Sequence, residues 1–198
     1  IFYDDASNDN NLLKEINIKS KNFNFLNNKY SNIEFNVAFN DEIDINISGL
    51  NLNGGIKIDK TNFIKINLKD TIFNFDGIDL AQTNLASDLN NISLRLIGNN
   101  IKTTDDIFQD VDFYILKNEN ILTIDNININ SERMQIGPNK NNQKAYISYN
   151  NKLDLYKIKG KYRLDNSSGH FDNLTKYNFD FFESDLNIQW NGLNNLTN

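Results

Sequence analysis

The chain has 198 residues, 26 acidic against 20 basic side chains, a net charge of -6 and no cysteine. That is the length of one to one and a half domains, and 39% hydrophobic residues, with 14 Phe and 8 Tyr, exclude a disordered chain despite a mean hydropathy of -0.56. Disulfides and thiolate metal sites are ruled out, there is no concentrated basic stripe of the kind nucleic acid requires, and no apolar run approaches the ~20 residues of a membrane-crossing helix.

Residues 1–14 are polar and rich in Asp and Asn, and are read as a lead-in; the opening IFYDDASNDN has neither Met nor a signal-like segment, so the chain is expected to be a piece of a longer protein. A period of two then takes over. Ile33, Phe35, Val37 and Phe39 alternate with Asn32, Glu34, Asn36 and Ala38; Ile43, Ile45 and Ile47 alternate with Glu42, Asp44, Asn46 and Ser48. Successive side chains of a strand point to opposite faces, so each segment has one apolar and one wet face. On this pattern strands are expected at 15–19, 22–26, 31–39, 42–52, 56–59, 63–69 and 71–76, with Gly54-Gly55 as a turn. They resume at 92–97, 111–117, 121–129, 133–136, 144–149, 152–159, 161–164 and 183–190.

Residues 79–91 lose the alternation and read as a connection. Thr104–Gln109 resembles a helix start, and Phe171–Phe179 is the best helix candidate. With one proline and hairpin-length gaps, the expectation is a mainly β fold, residues 15–198 forming one antiparallel, meandering, strongly curved sheet with one or two short helices.

Chemistry is scarce. His170 is the only histidine, so no multi-histidine metal centre can be assembled within the chain, and beside Gly169 it reads as an ordinary surface residue. Asp41, Glu42 and Asp44 lie close in sequence but read as solvated strand positions, and GGIKID at 54–59 lacks the repeat of a calcium-binding turn. The expectation is no catalytic residue, no metal, no cofactor, no nucleic-acid partner and no enzyme activity. The 40 Asn are read mainly as coding bias, and the basic stretch Lys152–Arg163 as a solvated strand face, with contact to an anionic headgroup as its alternative.

The second half carries a connected pattern: NISLRLIGNNI, DDIFQ, VDFYILKNENILTIDNININSERMQI, AYISYNNKLDLYKIKGKYRLDN, FDNLTKYNF and FESDLNIQWNG, with Gly160 opening a strand and Trp190-Asn191-Gly192 closing the last one. This order resembles the AsmA-like family of bacterial envelope proteins, in particular its YhdP/TamB branch. The resemblance spans residues 40–198. It implies a periplasmic segment of a long protein anchored in the inner membrane through other parts of the parent chain. It further implies an elongated repeating β-groove, flanked by neighbouring groove segments, that carries phospholipid acyl chains between inner and outer membranes and so serves outer membrane biogenesis. The residues expected to line such a trough are Ile33, Phe35, Val37, Ile43, Ile45, Ile47, Ile64, Ile66, Leu68, Leu94, Leu96, Ile147, Leu186 and Ile188. The same alternation also fits a closed sandwich core without ligand, in a structural or adhesive sandwich or solenoid domain at the cell surface. An enzyme such as a polysaccharide lyase on a β-helix is the third reading.

Overall fold

The alternating segments become strands, and most neighbours in sequence pair side by side. A computed structural model describes residues 14–25, 28–73, 91–103, 106–165 and 181–191. The strands are β1 (Glu15–Phe25), β2 (Asn28–Phe39), β3 (Ile43–Ser48), β4 (Asn53–Ile58), β5 (Ile64–Lys69) and β6 (Asn91–Lys102), followed by β7 (Ile107–Asn118), β8 (Ile121–Ser131), β9 (Met134–Gly137), β10 (Ala145–Asn150), β11 (Leu155–Asp165) and β12 (Phe181–Asn191). All belong to one sheet, in the order β1-β2-β3-β4-β5-β6-β7-β8-β10-β11-β12, with β1 and β12 outermost among the described strands. The short β9 pairs with the far halves of β8 and β11, while β10 pairs with their near halves. The two strands thus share one lane, broken by Pro138, which has no N–H for a ladder.

The meander is interrupted once. Every neighbouring pair is antiparallel except β5 and β6, which run parallel from Ile64↔Leu94 to Lys69↔Asn99, and a further bridge joins Ile72 to Lys102. The expectation of an antiparallel sheet throughout is therefore corrected: two antiparallel stretches meet at a parallel step. A parallel pair needs a connection long enough to return the chain to the starting end, and residues 70–90 supply that length.

Local expectations are revised in the same way. Gly54 and Gly55 lie inside β4, and the turn before it is at residues 49–52. A Cβ on Gly54 would sit 2.0 Å from the Asn67 carbonyl oxygen, so the glycine serves close strand packing instead of chain reversal. Gly160 lies in the middle of β11, which is one strand and not two. The expected helix start at Thr104–Gln109 fails over its described part, because Ile107–Gln109 open β7. The turn chemistry there is real, since the Thr103 hydroxyl accepts from the Asp106 N–H at 3.0 Å, but Ile107 then pairs with Lys102 in a hairpin. No helix occurs among the described residues. The helix expected at 171–179 and His170 lie outside them, as does the connection expected at 79–91 apart from Asn91, which opens β6.

Among the described residues, tight packing is confined to small patches. Tyr30, Ile33 and Leu52 form a buried cluster, against which Phe23, Phe35, Ile47 and Leu68 pack. Phe23 meets Phe35 edge-on at 5.1 Å, and the Tyr30 hydroxyl donates to the Ile72 carbonyl at 3.1 Å. Thr71, fully buried, donates to the Asn53 carbonyl at 3.1 Å. In the second half Ile101, Ile127, Ala145 and Tyr162 are buried.

Candidate functional site: one apolar face

Residues directly opposite each other in a ladder share a face of the sheet, so the register maps the faces. Starting at Phe39 the partners run Ile43, Ile58, Ile64, Leu94, Ile115, Ile124, Ile147, Ile158 and Ile188. That is an unbroken apolar row across ten strands, and the parallel step at Ile64↔Leu94 keeps it in line. A second row runs Ile16, Val37, Ile45, Ile56, Ile66, Leu96 and Phe113. A third begins Ile18, Phe35, Ile47, Gly54 and Leu68.

Three long strands hold this face apolar beyond the reach of simple alternation. Asn32, Asn100 and Asn126 adopt positive φ of 54°, 54° and 52° within β2, β6 and β8. A residue in the left-handed region shifts the alternation by one, so Tyr30 joins Ile33, Ile101 joins Gly98, and Ile127 joins Ile124 on the same side. The packing of Tyr30 with Ile33 and the register shift of β8 between Asp125 and Asn128 record this. Asparagine tolerates this backbone better than other side chains with a Cβ. Some of the asparagine excess therefore has a structural use that a coding-bias reading missed.

The opposite face is mainly polar, with Ile97, Leu116, Leu155 and Phe181 among its apolar members, and is cross-linked by charge. Lys57 pairs with Asp44 at 2.8 Å, Lys161 with Glu183 at 2.7 Å, and Lys19 with Glu34 at 3.4 Å. The Asn17 amide, then Lys19, hold the Glu34 carboxyl below the usual range, and Lys161 does the same for Glu183. Arg95 makes a two-pronged contact with Asp112 at 2.9 and 2.7 Å and lies 5.1 Å from the Tyr114 ring centre. These pairs tie β1 to β2, β3 to β4, β6 to β7 and β11 to β12.

All fourteen residues expected to line a trough fall on the one apolar face. Ile33 is the exception in exposure, at 1%, because Tyr30 and Leu52 cover it. Most of the others are half-buried, and Ile188 is 47% exposed. Sequence reasoning passed over Ile16, Ile56, Ile58, Phe113, Ile115, Ile124 and Ile158, which share the face. The signal for them was the same alternation, and reading Gly54-Gly55 as a turn truncated it at Ile56. Compared with protein-family models, curated proteins and solved structures, the chain matches none.

Proposed function

We propose that the apolar face is the floor of a trough that shields phospholipid acyl chains between the inner and outer membranes, as one periplasmic segment of a longer, inner-membrane-anchored chain, without catalysis. In this reading the sheet curls towards its apolar side into a half-pipe with a polar outer wall. The observation that carries it is the row from Phe39 to Ile188. At about 4.8 Å per strand it offers roughly 43 Å of continuous apolar surface, and its members are half-buried, with Phe39 and Ile188 exposed at its two ends, and none is fully sealed. A closed sandwich would bury these Ile side chains as it does its inner faces.

The energetics suit transport. Each CH2 removed from water contributes about 0.8 kcal/mol, so two ~16-carbon chains need about 25 kcal/mol of shielding in an aqueous crossing. The bilayer offers nearly the same, so a trough that matches it makes transfer close to neutral in both directions. Ile, Leu, Val and Phe suffice for that, and no reactive group is needed.

The test is organic extraction of the purified protein followed by mass spectrometry. Co-purifying glycerophospholipid at near-stoichiometric amounts is expected. A protein that carries no lipid, and takes none up from vesicles, would overturn the reading.

A further inference from the structure

Among the described strands the apolar face carries one charge. Lys117 stands opposite Ile92 on β6 and Leu122 on β8, which places it on the same side as Ile115, Phe113 and Val111. It is the one ionisable lysine, arginine, aspartate or glutamate at a face position of the described strands, and none of the ion pairs found among the described residues includes it. The other lysines of the strands lie on the polar face, where Lys19, Lys57 and Lys161 have acidic partners. A lysine on an apolar face is costly unless its ammonium reaches water or an anion, and Lys117 sits where it can reach either: the last apolar-face position of β7, one residue before the strand ends at the Glu119-Asn120 turn.

The rim around it has the character of an apolar–polar boundary. Its row continues from Leu122 to Tyr149 and Tyr156, whose rings stack at 4.4 Å. Tyrosine has an apolar body and a polar tip, which suits such an edge. The Tyr149 hydroxyl lies 3.5 Å from the Asp154 carboxylate, three lanes from Lys117, and Glu119 is the acid in the turn beside Lys117. Along β7 the distance from Lys117 to Val111 is roughly 20 Å. One acyl chain in a leaflet spans about half of the ~30 Å hydrocarbon core, so a chain laid along this strand fits within the apolar depth below the ammonium.

We propose that Lys117 holds the phosphate of a glycerophospholipid whose acyl chains lie on the apolar face, fixing the headgroup at the Lys117–Tyr149 rim. This rests on the trough reading above and adds an orientation and a headgroup preference to it. The anion is committed by complementarity: a cation above an apolar floor, with no acidic partner among the described residues, fits an anionic head joined to apolar tails.

The experiment measures binding of two fluorescent lipids with the same acyl chains, phosphatidylglycerol and diacylglycerol, to wild type, Lys117→Gln and Lys117→Arg. Wild type should bind phosphatidylglycerol about fivefold to tenfold more tightly than diacylglycerol, with the difference shrinking as salt is raised. Lys117→Gln should lose the difference while binding diacylglycerol unchanged, and Lys117→Arg should keep it. Equal binding of the two lipids by wild type, or a preference that survives in Lys117→Gln, overturns the headgroup site and leaves the trough standing. Binding of neither lipid by wild type overturns both.

Discussion

The left-handed asparagines show how single residues set the shape of the site. Eight of the described residues other than glycine have positive φ, and Asn32, Asn62, Asn100, Asn126 and Asn142 are five of them. Alanine at Asn126 would carry a Cβ in a conformation that costs an ordinary L-residue 1–2 kcal/mol, part of which asparagine already bears. Asn126→Ala is expected to lower stability by about 1 kcal/mol, and Asn126→Gly to be neutral or slightly stabilising; urea midpoints of the two variants check this. Tyr162 gives a prediction in pH. It is buried, its hydroxyl is near the Tyr146 and Lys159 carbonyls at 3.4 and 3.3 Å, and burial pushes its phenol up to about 12. A raised phenol keeps its proton in the folded chain after the unfolded chain has lost it. Its contribution is therefore complete below pH ~10 and falls away from pH ~10 to ~12, by about 2–3 kcal/mol at most. Titration of stability over that range should fall less steeply in Tyr162→Phe than in wild type, and equal slopes would refute the assignment.

At the scale of elements, the parallel step between β5 and β6 is the joint on which the continuous face depends. Beside it stands the clasp of Arg95, Asp112 and Tyr114, which spans β6 and β7 with Phe63 6.3 Å from the Tyr114 ring. Both charged side chains keep a little over a quarter of their exposure, at 29% and 28%, so screening tempers the pair. A double-mutant cycle with Arg95→Met and Asp112→Asn should return a coupling of about 1 kcal/mol or less, weakened by salt; a salt-independent coupling would show that packing and not charge joins the strands. The shared lane of β9 and β10 has a similar logic. Gly160, at φ 133°, faces Ala145 so closely that a Cβ would lie 2.5 Å from the alanine's own. The lane resumes at that point because neither residue has a larger side chain.

Across the whole molecule, the question is where the apolar face is sealed and where it is open. Ile33 is covered at 1% exposure, whereas Ile66 on the same face is only half-buried. A buried unpaired carboxylate costs several kcal/mol. Ile33→Asp is therefore expected to unfold the protein, while Ile66→Asp should fold, with a loss of about 1–2 kcal/mol, and should reduce lipid uptake. Circular dichroism melts of the two variants, with lipid extraction of the second, make the comparison. Unfolding of Ile66→Asp would mean that the middle of the face is a closed core.

Period-two alternation alone determined that this chain makes strands with one apolar side, because side-chain direction in a strand is a local property of the backbone. It also put the trough candidates from Phe35 to Leu68 on a common face, since a hairpin carries its own register from strand to strand. Tertiary structure decided the rest. The parallel pairing of Ile64 with Leu94 joins residues 30 positions apart, and nothing in either segment specifies its partner. Gly54-Gly55 carries a turn signal that close packing against Asn67 overrides. The covering of Ile33, and the isolation of Lys117 among apolar neighbours, arise only when distant strands are laid side by side, because burial and unpaired charge are properties of the assembled sheet and not of the segment.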